Sequence, residues 1–342
     1  MYGRLDSMSL AQFAPPPVPD AVEVRQFVRE AMRSDHHAAH NNGQSIPSDY
    51  YVQTLVNPTI SVDSIALTED EVRSVVQENR VATALHFYQC ITSTCLGEHL
   101  PPRAMRKGFE VLGRGLHTDG RVIGYSSLEA QAETLGLSKE FSLKIIEESC
   151  HLANAVNADP QYKKISASAN ITTELLWSAR FEHDIARILD ATEIDPQYLT
   201  LELLEKIHIP PSTSIKALRH LTRRGVHLAI DDYGEDYSVA LLEHLHSYDV
   251  PVHVMKFDGK RLRNVRSEET EKFVQTALRH ADYAGVESIV WEGYNRTRPD
   301  DVAFLSVLKR RLHARLPWLF QGRVMASSGG AVPPMPKYYV EE

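Results

Sequence analysis

From residue 85 to residue 322, short apolar runs that close on a charged or amide side chain alternate with helix-length amphipathic segments. Strands are predicted at Leu85–Ile91, Gly108–Arg114, Lys164–Asn170, Leu199–Glu205, His227–Tyr233, Val252–Asp258, Glu287–Gly293 and Trp318–Gly322. Helical spacing falls at Lys139–Leu152, Phe181–Asp190, Ser214–Arg224 and Ser267–Ala284, with a further helix-like stretch ahead of the first strand at Glu69–Gln77. Strands separated by helices imply βαβ units, because parallel neighbours need a crossover. Eight such strands in about 250 residues fit a closed α/β barrel of the TIM-like (β/α)8 type better than an open doubly wound sheet.

The polar residues lie at or near the carboxyl ends of these runs, and in a barrel those ends converge on one mouth. In chain order they are Glu110, Asn170, Glu202, Glu205, Asp231, Asp232, Lys256, Asp258, Glu292 and Gln321. Any one of the acids alone reads as a surface residue or as a cap for the next helix. Seven carboxylates, one lysine and two amides on one face are a different matter, because clustered acids repel one another unless cations neutralise them. Oxygen donors of this kind select Mg²⁺, Mn²⁺ or Ca²⁺. Asp231 and Asp232 are adjacent, and neighbours on a strand point to opposite faces. Both can reach one site only if the chain turns there, which Gly234 permits. One aspartate could then serve each of two metals, or bridge them, and paired divalent ions are a common device for in-line attack of water on a phosphodiester.

Composition narrows the classes of partner. The chain has 37 Lys plus Arg against 45 Asp plus Glu, a net charge of −8, whereas binding a nucleic-acid polymer draws on clustered basic residues. No such polymer is expected as a partner. Three cysteines, Cys90, Cys95 and Cys150, supply neither a disulfide framework nor a paired Cys-x-x-Cys site, so a reducing, cytoplasmic setting is expected. No run approaches the ~18 apolar residues of a membrane span, and the first residues lack a secretory pattern. Residues 1–67 read as an N-terminal extension with a Pro-rich arm at Ala14–Pro19 and a short helix at Ala21–Arg33. His36, His37 and His40 read as a solvated loop rather than a metal site, because no thiol partner accompanies them. The barrel is placed at residues 68–327, and residues 328–342 have the Gly, Pro and Ser content of a flexible tail. Trp177, Trp291 and Trp318 read as core or barrel-edge packing, and His208, His227, His244 and His246 as structural or exposed.

On these residues and their order, the chain resembles the EAL-domain phosphodiesterases, which hydrolyse the bacterial second messenger cyclic di-GMP to linear pGpG. Phe109-Glu110-Val111-Leu112-Gly113-Arg114 stands where the Glu-Ala-Leu-Leu-Arg signature belongs. Asn170-Ile171-Thr172 is similar to Asn-Leu-Ser, and Glu202-Leu203-Leu204-Glu205 to Glu-x-Thr-Glu. Ile230-Asp231-Asp232-Tyr233-Gly234 is similar to the Asp-Asp-Phe-Gly motif, and Lys256-Phe257-Asp258 to Lys-Ile-Asp. Glu292-Gly293 and Gln321-Gly322 complete the order, and the resemblance runs from about residue 68 to residue 327.

The resemblance implies a barrel whose first strand runs antiparallel, and a two-metal site for Mg²⁺ or Mn²⁺ at which Ca²⁺ inhibits. By it, Glu110, Asn170, Glu202 and Asp231 hold one metal, Asp232 holds the second and shares the first, and Glu292 acts at the water as base or ligand. Lys256 orients the water and screens charge, Glu205 braces the loop after the fifth strand, and Asp232 joins these three as the catalytic group. Gln89, Arg114, Asp258 and Gln321 face the nucleotide. Cyclic di-GMP is the implied ligand, a homodimer the implied assembly, and residues 1–67 the place for a protein partner; no Gly-Gly-Asp-Glu-Phe cyclase signature is present. Departures gather on the loops. Gly234-Glu235-Asp236 replaces Gly-Thr-Gly, Cys90 replaces a proline, Gly115 replaces a tryptophan and Asn295 replaces an acid. Two alternatives stay open: a receptor or interaction module that binds without turnover, and proton abstraction beside a carboxylate as in the enolase group.

Overall fold

The structure, a computed structural model, describes residues 67–77, 81–90, 108–116, 122–123, 125–158, 165–259, 268–292, 318–321 and 338–340. The readings at Ala14–Pro19, Ala21–Arg33, His36, His37, His40, Cys95 and Asn295 lie outside the described residues. The strands are β1 (Val81–Cys90), β2 (Gly108–Leu116), β3 (Val122–Ile123), β4 (Ser166–Ile171), β5 (Leu199–Leu203), β6 (His227–Ile230), β7 (Val254–Phe257), β8 (Ser288–Trp291), β9 (Trp318–Gln321) and β10 (Tyr338–Val340). The helices are α1 (Glu69–Gln77), α2 (Tyr125–Thr134), α3 (Ser138–Asn157), α4 (Thr173–Trp177), α5 (Phe181–Thr192), α6 (Ser212–Arg223), α7 (Ser238–Ser247) and α8 (Glu268–Ala284).

Parallel pairing runs without interruption from β2 through β4, β5, β6, β7 and β8 to β9. β1 then closes the ring, antiparallel to β2 on one edge and to β9 on the other. The barrel and its antiparallel first strand are therefore as expected. β2 covers one edge of β1 from Val81 to Tyr88, while β9 covers the other only at Tyr88–Cys90. β10 pairs with β1 at Thr83–Leu85 and so fills the part of that edge that β9 leaves. Residues 338–340, which the composition of the sequence assigns to the tail, are thus strand; their Tyr-Tyr-Val run has the aromatic and β-branched content that suits one.

Alternation along the strands separates the core from the site. Ala167, Ala169, Ile171, Leu199, Leu201, Leu203, Leu228, Ile230, Met255, Phe257, Ile289 and Trp291 all join one hydrophobic cluster with the helices. The alternate positions, Ser168, Asn170, Thr200, Glu202 and Lys256, are buried and polar. Because successive side chains on a strand point to opposite faces, an outward apolar set leaves the barrel interior to the polar set.

The helices follow local rules. Thr68 and Glu71 cap α1 reciprocally, Glu71 N–H donating to Thr68 Oγ1 (3.3 Å) and Thr68 N–H to the Glu71 carboxylate (2.7 Å). α5 buries Phe181, Ile185, Ile188, Leu189 and Thr192, one stripe at helical spacing. α2, α4 and α7 are additions to the helices expected from spacing; α4 is only five residues long and starts on Thr172, whose Oγ1 accepts the Leu175 N–H. Trp291 is fully buried as expected, whereas Trp177 is 46 % exposed at the end of α4 and so is not core. Among the described residues, no helix is long and apolar enough to cross a membrane.

Candidate functional site

The inward positions at the carboxyl ends of the strands meet around one ammonium. Lys256 Nζ on β7 lies 2.6 Å from Glu202 on β5, 2.7 Å from Glu292 just past β8, 3.1 Å from Asp231 just past β6 and 3.5 Å from Glu110 on β2. Asn170 on β4 donates from Nδ2 to Glu110 Oε1 at 3.3 Å. Strand register explains the convergence, since Glu110 pairs across with Ser168, Asn170 with Glu202 and Glu202 with Ala229. The Lys256 and Glu202 side chains are each 2 % exposed, so this charge is desolvated and cannot be read as a surface cluster.

Loops hold the remaining acids in place by backbone bonds. Asp231 N–H donates to Leu203 O (3.0 Å), Tyr233 N–H to Lys256 O (2.8 Å) and Glu292 N–H to Phe257 O (2.9 Å), which ties the ends of β5, β6, β7 and β8 together. The expected turn after β6 is present, but it begins earlier than Gly234: Asp232 itself has φ +39°, and Gly234 follows at +95°. Asp is among the few residues that tolerate this left-handed region. Ser238 Oγ fastens the turn, accepting from Gly234 N–H (2.9 Å) and donating toward Glu235 O (2.6 Å). Asp236, at the last position of the altered Gly-Thr-Gly triplet, also takes φ +39°. Asp236 thus takes a left-handed backbone of the kind glycine adopts at no steric cost.

Electrostatics follow from one ammonium facing four carboxylates. Lys256 is held well above the usual lysine range: burial opposes its charge, but Asp231, Glu110, Glu202 and Glu292 outweigh that cost. Glu202 is pushed up to about 8 by burial, with Lys256 opposing and Glu110 and Asp231 reinforcing the shift. Asp232 is pushed up to about 7 by burial and then by Asp231, Asp258 and Glu205. Glu292 also rises well above the carboxylate range through desolvation, although the 24 % of its side chain that stays exposed moderates it.

A hard divalent cation fits this donor set. Asp231, Asp232 and Glu292 each offer an oxygen within 4.8 Å of the others. Asn170 Oδ1 and Asp232 Oδ1 are buried without a hydrogen-bond partner among the described residues. A buried acceptor left unsatisfied is costly, and a cation would complete it. Because Asp232 and Glu202 hold protons near neutral pH, binding such a cation must release them. Mn²⁺ affinity is therefore expected to rise as pH increases from about 6 to about 8. Calorimetry in buffers of different ionisation enthalpy measures the protons released; an affinity flat across that range would contradict the assignment.

The structure brings together Glu110, Asn170, Glu202, Asp231, Asp232, Lys256 and Glu292. Glu205 and Asp258 lie farther out and act on Asp232 through charge; the Glu205 carbonyl also accepts the Tyr237 N–H at 3.0 Å. Gln89, Arg114 and Gln321 stand on β1, β2 and β9, and their side chains lie outside the described residues. The strands expected from the sequence run too far: β5, β6 and β8 stop before Glu205, Asp231 and Glu292, so those acids sit on turns. Sequence reasoning misses Ser238, Gly259 and the pairing of Tyr233 with His280, none of which carries a charge pattern. His208, His227, His244 and His246 pair with rings, against Tyr237, His253, Tyr248 and Tyr283 respectively.

The family model of the EAL domain matches residues 103–292, more than half of the chain. The chain belongs to the EAL domain family. Among curated relatives it is similar to the probable cyclic di-GMP phosphodiesterase PdeB of Escherichia coli K12, at 27 % identity over 146 residues, covering 42 % of this chain and 27 % of the relative. The chain spans 21–38 % of the length of the first curated relatives it matches. Among solved structures it resembles the PaMucR phosphodiesterase in complex with c-di-GMP, with TM-score 0.57 and 20 % identity over 75 % of this chain and 94 % of that one. The FimX EAL domain of Pseudomonas aeruginosa, bound to c-di-GMP, gives TM-score 0.57 and 14 % identity over 75 % of this chain and 93 % of that one. At these identities the structural likeness carries the EAL fold.

Proposed function

We propose that this EAL domain is a divalent-metal-dependent phosphodiesterase that hydrolyses cyclic di-GMP to linear pGpG. The observation that carries the reading is Lys256, buried at the centre of Glu110, Glu202, Asp231 and Glu292 with the Asp231–Asp232–Glu292 oxygens beside it. Glu110, Asn170, Glu202 and Asp231 would hold one cation, Asp232 would hold the second and share the first, and Glu292 would complete the set. Bound there, the cations supply Lewis-acid activation of water and neutralise the phosphodiester.

The protein's own groups do the rest. Lys256 holds the attacking water in line and places positive charge where the non-bridging oxygens accumulate negative charge. Glu292, partly exposed and 2.7 Å from Lys256, takes the proton of that water in its ionised form. Oxygen adds to phosphorus as the P–O3′ bond breaks, and the leaving 3′ oxygen takes up a proton. Glu205 braces the turn through its carbonyl, while Gln89, Arg114, Asp258 and Gln321 are assigned to the nucleotide.

Incubation of the protein with cyclic di-GMP and Mg²⁺ or Mn²⁺ is expected to yield pGpG, and Ca²⁺ or EDTA to suppress it. No product with either activating metal would overturn the reading. A second reading, binding without turnover, draws on Glu235 and Asp236, which add two acids where the family has Thr and Gly. Metal-independent nucleotide binding with no hydrolysis would establish it.

A further inference from the structure

Tyr233 stands where the family motif carries Phe, and its hydroxyl is not idle. The oxygen lies 2.6 Å from His280 Nδ1 on α8, and His280 Nε2 lies 3.6 Å from Glu243 Oε1 on α7. Tyr233 is 3 % exposed, so this hydroxyl is committed to protein rather than water. Its ring sits edge-on to Phe257 (5.6 Å) and tilted to Phe273 (6.3 Å), which fixes the direction of the O–H. The phenol can donate to Nδ1 in the tautomer that keeps the imidazole proton on Nε2. In that tautomer Nε2–H faces the Glu243 carboxylate.

Tyr233 is also the residue after Asp232, and its own N–H is bonded to the carbonyl of Lys256. A non-glycine residue at φ +39° costs energy and persists only when its surroundings over-determine it. Phenylalanine would fill the same volume but leave the turn without a polar anchor to the outer helices. We propose that Tyr233 and His280 are positioning residues that hold the Asp231–Asp232 turn in its metal-accepting shape, through a hydrogen bond from the barrel mouth to α8. The proposal rests on the metal-dependent reading above. A hydroxyl that is merely satisfied would affect stability alone; a positioning one also sets cation affinity.

The test is Mn²⁺ binding by calorimetry, with a melting temperature for each protein, on wild type, Tyr233→Phe, His280→Leu, the double variant and His280→Asn. Each of the first two is expected to weaken Mn²⁺ binding about tenfold by loosening the turn that carries Asp231 and Asp232, the low end of what losing support around a metal site costs. The double variant should be no weaker than the worse single, because both remove one interaction. His280→Asn, whose Oδ1 can take the place of Nδ1, should return toward wild type. Mn²⁺ affinities within about twofold of wild type in Tyr233→Phe and His280→Leu, whatever their melting temperatures, would overturn the proposal alone. A wild type that binds no Mn²⁺ would overturn the functional reading and this proposal with it. Tyr233→Phe restores the family's own ring and decides the question even if His280→Leu does not fold.

Discussion

Lys256→Met is expected to abolish turnover and to destabilise the protein by an amount that grows with pH. Removing one partner from a buried charge network leaves the others uncompensated, at a cost of about 3–5 kcal/mol. Here the survivors are Glu110, Glu202, Asp231 and Glu292. The sign follows from proton linkage. Glu202 already titrates near 8 when folded against 4.5 when unfolded. Its contribution is thus fully present below the unfolded value and is lost as pH rises through the folded one. Without Lys256 the Glu202 carboxyl loses the charge that lowers it and shifts further up, so the window of loss extends above about pH 8. In metal-free buffer the melting-temperature gap between wild type and Lys256→Met should widen as pH rises past about 8, where the loss levels off in wild type but continues in the variant, and narrow when Mn²⁺ is added. A gap that stays constant with pH would mean that packing, not charge, had been lost. Turnover should fall at least 10²–10³-fold, the loss typical of one electrostatic donor to a transition state.

That network is largely legible in the sequence, for a specific reason. Strands buried on both faces rarely carry acids, so Glu110 in GFEVLGR and Glu202 in LTLELLE announce an interior site by breaking apolar runs. Lys256 is the same signal in the opposite sign. Less legible is where each strand stops. Asp231, Glu205 and Glu292 read as strand residues because the apolar run leads directly into them. Asp231 and Glu292 instead lie on turns, their backbone N–H groups bonded across to Leu203 and Phe257. Hydrogen bonds between distant segments leave no periodic trace.

The smaller elements illustrate the same limit. α4 has only one turn, capped by Thr172 inside a motif that reads as a binding signature. β10 is three residues after a Gly- and Pro-rich stretch, and among the described residues the open edge of β1 is its partner. Tyr233 and His280 are 47 positions apart, and nothing in either neighbourhood predicts that they meet. Charge placed against the grain of a strand is visible in sequence; close approach between loops is not.

Gly259→Ala is the sharpest test of such a close approach. Gly259 follows Asp258, and a β-carbon at this position would collide with the backbone carbonyl of Glu292 and come within 2.8 Å of Trp291 Nε1. Backbone cannot give way as the tip of a flexible side chain can, and Trp291 is fully buried. Displacement therefore falls on Glu292, whose N–H is held to Phe257 at 2.9 Å and whose carboxylate lies 2.7 Å from Lys256. Overpacking of this kind costs about 1–3 kcal/mol in stability. The larger effect is on chemistry, since misplacing a catalytic group by about 1 Å lowers the rate about 10²-fold. Gly259→Ala is thus expected to lower kcat about 10²-fold with a smaller effect on the KM for cyclic di-GMP, because the clash falls on Glu292 while Gly259 only adjoins the nucleotide-facing Asp258. Steady-state kinetics in Mn²⁺ separate the two parameters. A kcat equal to wild type would show that the turn after β7 retreats without moving Glu292, and a rise in KM alone would place Gly259 beside the nucleotide instead.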